Sequence, residues 1–394
     1  MFAAGMVQGC LAMAWWLMDM LGRYHGWPTA GELRIPPGWA HAYLLAFGFF
    51  PFFMFGFLMT ALPSWMEREK PGPGQYLPAT ALMFLGVTLF YPGIYWSEIL
   101  IYLGIALQLT GWLVGLYALG QRVHTRGRDR RHALLAVAGI GAGSAALLVF
   151  DFAMVTHAPG AAAVALSSSI WVFLLPVFLT VAHRMIPFFS SRVLPGYRIV
   201  RPYWALWTLA GCGALHGVLM MAGLLELVWL ADIPAAGVAL YLVAAWRVDR
   251  SLGIRLLAVL HIAFAWVPVA FLLSATQSLL AYQYVGAGAP VSFGLAPLHA
   301  LTIGFFSSML VGMASRVILG HSGRPLEADT ATWVLFWGMN LSALLRILAD
   351  MPWAVGVVSD LLPASSALWL AGFVFWTSKY LPMLLLPRVD GEPG

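Results

Sequence analysis

An all-α, polytopic transmembrane helical bundle of about 12 spans is expected, on three observations. The 394 residues are 61% hydrophobic and only 9% charged, a balance foreign to soluble globular domains. The apolar residues gather into stretches of about 20, the length a helix needs to cross a bilayer. The basic residues fall almost wholly in every second connection between those stretches.

The stretches run over 2–21, 40–63, 77–95, 97–120, 132–154, 161–190, 203–224, 226–246, 254–276, 293–314, 329–349 and 363–384. The first opens with no charged region before it, so no cleavable signal peptide is expected. The second starts beside Trp39 and His41, a position suited to an interfacial aromatic belt. The third and fourth are separated only around Pro92, and the seventh and eighth only around Gly223, so each pair must be an antiparallel hairpin. The sixth ends in His183-Arg184-Met185-Ile186-Pro187, the ninth carries His261, Trp266 and Pro268, and the tenth ends in Ser315-Arg316-Val317-Ile318 before the polar turn His321-Ser322-Gly323-Arg324-Pro325. Internal Gly and Pro are compatible with spanning helices. The whole of 1–394 reads as a single integral membrane domain, with no linker and no soluble portion.

Charge fixes the orientation. Gln121–Arg131 holds Arg122, Arg126, Arg128, Arg130 and Arg131 and is expected in the cytoplasm. Counting in alternation from it leaves only Arg23, Arg34 and Arg346 outside, with the other 18 of the 21 basic residues inside and both termini cytoplasmic. The net charge of +5 is then a topological signal beside an anionic leaflet and not a sign of nucleic-acid binding. Cys10 and Cys212 lie in apolar spans with no metal or redox spacing and read as packing residues.

The second, sixth and tenth spans end in related polar exits, and Thr60, Arg184 and Arg316 stand 124 and 132 residues apart. That spacing suggests three units of four helices, with these three spans in equivalent places where membrane proteins put their sites.

Histidine carries the chemistry. His25, His124, His132 and His157 fall in connections and read as surface residues. His41 and His299 open outer ends of the second and tenth spans, with His299 about 9 Å deep by helical rise. Phe306, Leu310 and Met313 continue its stripe. Two imidazoles over apolar walls suit a haem, which needs two axial nitrogens and a dry slot. His216 reads instead as a histidine bonding a neighbouring helix. On the inner side, His261, His183, Arg184, Arg316, His321 and Arg324 suit a second metal site or an anion, by charge-assisted bonds. The competing reading is simple inner-surface charge. Copper also suits imidazole and thioether, though the 18 methionines form no clustered motif. Asp151 and Glu98 are the acidic residues within spans best placed to matter, and no chain of carboxylates forms an ion path. Phosphate loops, nucleophile elbows and HExxH pairs are absent.

Four segments resemble the NnrS family: HAYLLAFGFFPFFMFGFLMTALPSW (41–65), RMIPFFSSRVL (184–194), RLLAVLHIAFAWVPVAFLL (255–273) and HALTIGFFSSMLVGMASRVILGHSGRPL (299–326). The resemblance implies a bacterial cytoplasmic-membrane protein of the nitric oxide and denitrification response that binds haem and copper. It places His41, Arg184, His261, His299, Arg316, His321 and Arg324 at the family's recurrent polar positions. Where the family shows His-Ala-His-Glu, this chain has His41-Ala42-Tyr43-Leu44. A copper site using that second histidine is therefore expected to be lost, while a haem on His41 survives. The family's Arg-Pro-Phe-Phe segment would precede the first residue here. The layout also resembles haem–copper oxidases, with three groups of four helices and a haem between the second and tenth. It lacks their adjacent His-His pair, and oxidase turnover is not expected.

The sequence thus points to a haem held by His41 and His299, with nitric oxide as its ligand. A second site is expected on His261 with His321 or His183, with Arg184, Arg316 and Arg324 as anion partners. A cofactor-free transporter of a small or anionic solute, and a haem or copper assembly factor, are the alternatives.

Overall fold

The structure is a computed structural model that describes residues 1–28, 31–123, 129–283 and 292–391. His124, Arg126 and Arg128 of the arginine-rich connection lie outside the described residues. Twelve long helices follow one another: α1 Phe2–His25, then α2 Pro37–Met66, α3 Pro73–Trp96, α4 Glu98–Val123, α5 Arg131–Thr156, α6 Pro159–Val193, α7 Tyr203–Met221, α8 Leu225–Ala245, α9 Arg255–Gln283, α10 Ala296–His321, α11 Thr330–Ala349 and α12 Val358–Leu385. No strand occurs among the described residues. The eleven helices α2 to α12 are long and apolar enough to cross a membrane, as a multi-pass membrane protein requires. The 24-residue α1, with Asp19 and Arg23 in its second half, falls outside that set.

Three helices are interrupted, and they are the second, sixth and tenth. In α2 the helix halts over Phe47–Phe49 and resumes at Phe50. Ser169–Leu174 of α6 and Ala300–Ser307 of α10 are π-helical. The interruptions begin 122 and 131 residues apart, close to the spacing of the polar exits. Each has a local cause. A Cβ on Gly48 would lie 2.6 Å from the Leu44 carbonyl oxygen, so only glycine fits there. In α10 the Ser307 and Ser308 hydroxyls donate to the carbonyls of Thr302 and Ile303, five residues back, at 3.0 and 3.5 Å. That supplies the bonding a widened turn lacks.

The chain packs into two compact units, Met1–Ala12 with Pro28–Val181, and Met13–Trp27 with Ala182–Gly394. In the first, α3 and α4 meet backbone to backbone: a Cβ on Gly104 would stand 2.7 Å from the Gly86 carbonyl oxygen, and one on Gly111 2.8 Å from that of Ala79. Small residues of this kind let helices approach closely where lipid supplies no hydrophobic drive. The π segment of α6 turns Phe173 onto Gly143 of α5 and to 5.1 Å from Trp112. The carbonyls released by the halt in α2 are capped by side chains. Gln8 donates to Leu44 at 3.3 Å, and Gln108 donates to Phe47.

In the second unit, α11 and α12 are joined by Ser342 and Ser365, whose hydroxyls donate to each other's carbonyls at 2.9 Å. Trp376 donates from Nε1 to Ser315 of α10 at 2.8 Å. Gly304, inside the π segment of α10, lies against the Trp266 indole of α9, whose Nε1 donates to Asn340 at 2.7 Å.

Candidate functional site

His299 sits in the first turn of α10, because the helix begins at Ala296 and not at 293 as its hydropathy predicts. Counted from that start it lies three residues, or about 4.5 Å, along the helix. The entry is pinned by Asp350 at the end of α11: it accepts from the Leu295 N–H at 3.0 Å and pairs with Arg346 at 2.6 Å. The fixed Leu295 carbonyl in turn accepts from His299 Nδ1 at 3.0 Å. Such a bond sets the tautomer in which Nε2 carries the lone pair, the arrangement of a metal-ligating histidine. The π turn also breaks the expected stripe. One extra residue per turn rotates Phe306, Leu310 and Met313 relative to His299, although all three are buried.

His41 is the fifth residue of α2 and half-buried. It belongs to the first unit and His299 to the second. Two residues on, Tyr43 is fully buried, stacked at 3.9 Å on Phe90 and 5.5 Å from Phe150, and its hydroxyl donates to Gln108. Position 43 thus serves packing and the capping of the α2 interruption. It offers no imidazole for copper, and Leu44 no carboxylate. Among the described residues, no three His, Cys, Asp or Glu converge to hold a metal ion.

The inner residues divide into two groups. His261 is buried, with Nε2 3.1 Å from Ser190 Oγ. Ser190 spends its own proton on the Ile186 carbonyl at 2.9 Å, so His261 must donate from Nε2 and keep its lone pair on Nδ1. The residue before Ser190 is Phe189, and the Arg316 guanidinium lies over its ring at 3.9 Å. Successive residues of α6, Phe189 and Ser190, thus meet Arg316 of α10 and His261 of α9 respectively. His183 Nε2 lies 3.0 Å from the Pro202 carbonyl, and its ring is 6.1 Å from both Tyr203 and Trp246. Arg184 is half-buried. His321 is exposed at the end of α10, and Arg324 is half-buried with Nη1 enclosed and unpartnered. Val389 donates to the Ser322 carbonyl at 3.1 Å, laying the C-terminal segment over that turn.

A family model described as NnrS protein matches residues 1–388. The chain belongs to the NnrS family. No curated protein matches it. The NnrS match runs through all twelve helices and both units, well beyond the four segments that first carried the resemblance.

Several polar residues of this NnrS chain escape a sequence reading. His216, expected to bond a neighbouring helix, donates from Nδ1 to Asp232 of α8 at 2.6 Å, and Asp232, in the first α-helical turn after Val228, is fully buried. Gln108 and Asn340 also act from inside spans. Phe189 and Ser190 had a usable signal, since Phe-Phe-Ser-Ser occurs at both 188–191 and 305–308.

Proposed function

We propose that this NnrS-family protein is a haem-binding protein of the bacterial cytoplasmic membrane that binds nitric oxide and so responds to, or protects against, nitrosative stress. The observation that carries the reading is His299, whose Nδ1–H is committed to the Leu295 carbonyl, so that Nε2 keeps the lone pair a metal ligand needs. His299 and His41 would hold the haem, which supplies an iron that binds nitric oxide. His41, near the start of α2, is the ligand that yields its place. Nitric oxide is apolar enough to arrive through lipid, so no polar channel is needed. Copper has weaker support, because Tyr43 and Leu44 replace the family's second histidine and its glutamate.

The test is the optical spectrum of detergent-purified protein, oxidised and then reduced, with and without nitric oxide. Wild type should show a Soret band that shifts with the gas. His299→Ala should abolish haem retention, and His41→Ala should keep haem and its response to nitric oxide. Wild-type spectra in both variants would refute the ligand assignment. A colourless protein from haem-supplemented cells would refute haem and favour a transporter of a small or anionic solute, or an assembly factor.

A further inference from the structure

Arg316 carries a charge that the described protein does not balance. It is only 7% exposed, its Nε is enclosed with no hydrogen-bond partner, and among the described residues no carboxylate forms an ion pair with it. Its one close polar-type contact is with the π face of Phe189. The positive-inside rule does not account for this. An arginine placed for topology extends its head toward water, whereas this one is buried with its guanidinium 3.9 Å from the centre of an aromatic ring. A ring face offsets only part of the cost of taking a cation out of water. The remainder requires an anion.

We infer that Arg316 binds a planar, singly charged oxyanion group between α6 and α10, in the second unit. Phe189 packs against the guanidinium, and a guanidinium fork takes two oxygens of one group, the pairing in which arginine is most selective. Ser190, the next residue of α6, meets His261 of α9, whose Nε2 lies 3.1 Å from its hydroxyl oxygen. The shared chemistry is a two-oxygen anion, from either of two sources: a free ion such as nitrite, nitrate or formate, or the carboxylate of a bound cofactor. The site does not depend on His299 or His41.

Two measurements on full-length protein in detergent test it. The first is the thermal midpoint during titration with sodium nitrate or formate, at ionic strength held constant with chloride. The second is mass spectrometry of carboxylate-bearing molecules extracted from the purified protein. A free-anion site gives a saturable rise in wild type that is absent in Arg316→Gln and at least ten-fold weaker in Arg316→Lys. A cofactor carboxylate gives no response to added ions, but a molecule that co-purifies with wild type and is depleted several-fold in Arg316→Gln. Should Arg316→Gln fail to accumulate, Arg316→Lys and Phe189→Leu are read in its place, with the same losses expected. Wild type that neither responds nor carries such a molecule, or variants that match wild type in both measurements, would overturn the assignment.

Discussion

Gln108 shows how a polar side chain survives inside an apolar bundle. It is fully buried, yet its amide nitrogen donates to the Phe47 carbonyl and its amide oxygen accepts from Tyr43. Hydrogen bonds between helices in membranes average only about 0.6 kcal/mol, since the polar group usually finds another partner. Gln108 differs, because the carbonyl it caps is released by the halt in α2 and has no helical partner to return to. Gln108→Leu should therefore cost roughly 1–3 kcal/mol, the penalty for stranding buried polar groups. Thr110→Val, two residues away on an exposed face and bonded only to its own helix at 2.8 Å, should cost close to nothing. Thermal unfolding of both variants in detergent decides the matter, and equal midpoints would show that Gln108 does not hold the interruption. The same reasoning marks Arg316 as the exception, since its enclosed Nε has no hydrogen-bond partner among the described residues.

At the scale of elements, the helices themselves were legible and their irregularities were not. Hydropathy finds every long helix because the cost of apolar residues in water is summed over about 20 positions. The spacing of polar exits even pointed to α2, α6 and α10, the three helices that prove to be interrupted. The interruptions depend on tertiary contacts: Gly48 against its own chain, Phe173 against Gly143, Gly304 against Trp266. The last two pairs are far apart in sequence, whereas Gly48 meets the Leu44 carbonyl of its own helix. The start of α10 lies three residues later than hydropathy places it for the same reason, since Asp350, some fifty residues away, accepts from the Leu295 N–H just before it. The α3–α4 hairpin gives a direct test of backbone packing. A Cβ on Gly86 would collide with the Gly104 carbonyl oxygen, and the neighbouring atoms are backbone and cannot swing aside. Gly86→Val should destabilise by about 1–3 kcal/mol or more through overpacking. Gly120→Val, on α4 with nothing within 4 Å, should be tolerated. If the two variants unfold at the same temperature, the hairpin does not rest on glycine contact.

At the scale of the whole molecule, the open question is whether α1 crosses the membrane with the eleven helices that follow. Its composition is the least apolar of the twelve, but its polar residues are internally satisfied. Gln8 donates to Leu44 and accepts from Tyr91 at 3.2 Å, while Asp19 pairs with Arg23 one turn later. Satisfied groups of this kind remove most of the penalty for placing polar atoms in lipid. A crossing α1 gives 12 spans and puts Met1, the Gln121–Arg131 connection and the C-terminus all in the cytoplasm. An α1 that stays on the surface gives eleven and moves Met1 alone to the outside. The two cases are separated by fusing a reporter that fluoresces only in the cytoplasm to Met1, to the 121–131 connection and to Gly394. Fluorescence at all three positions is expected. Loss at Met1 alone would reduce the count to eleven, and loss at the arginine-rich connection would overturn the orientation, because the five arginines there fix every other loop by alternation.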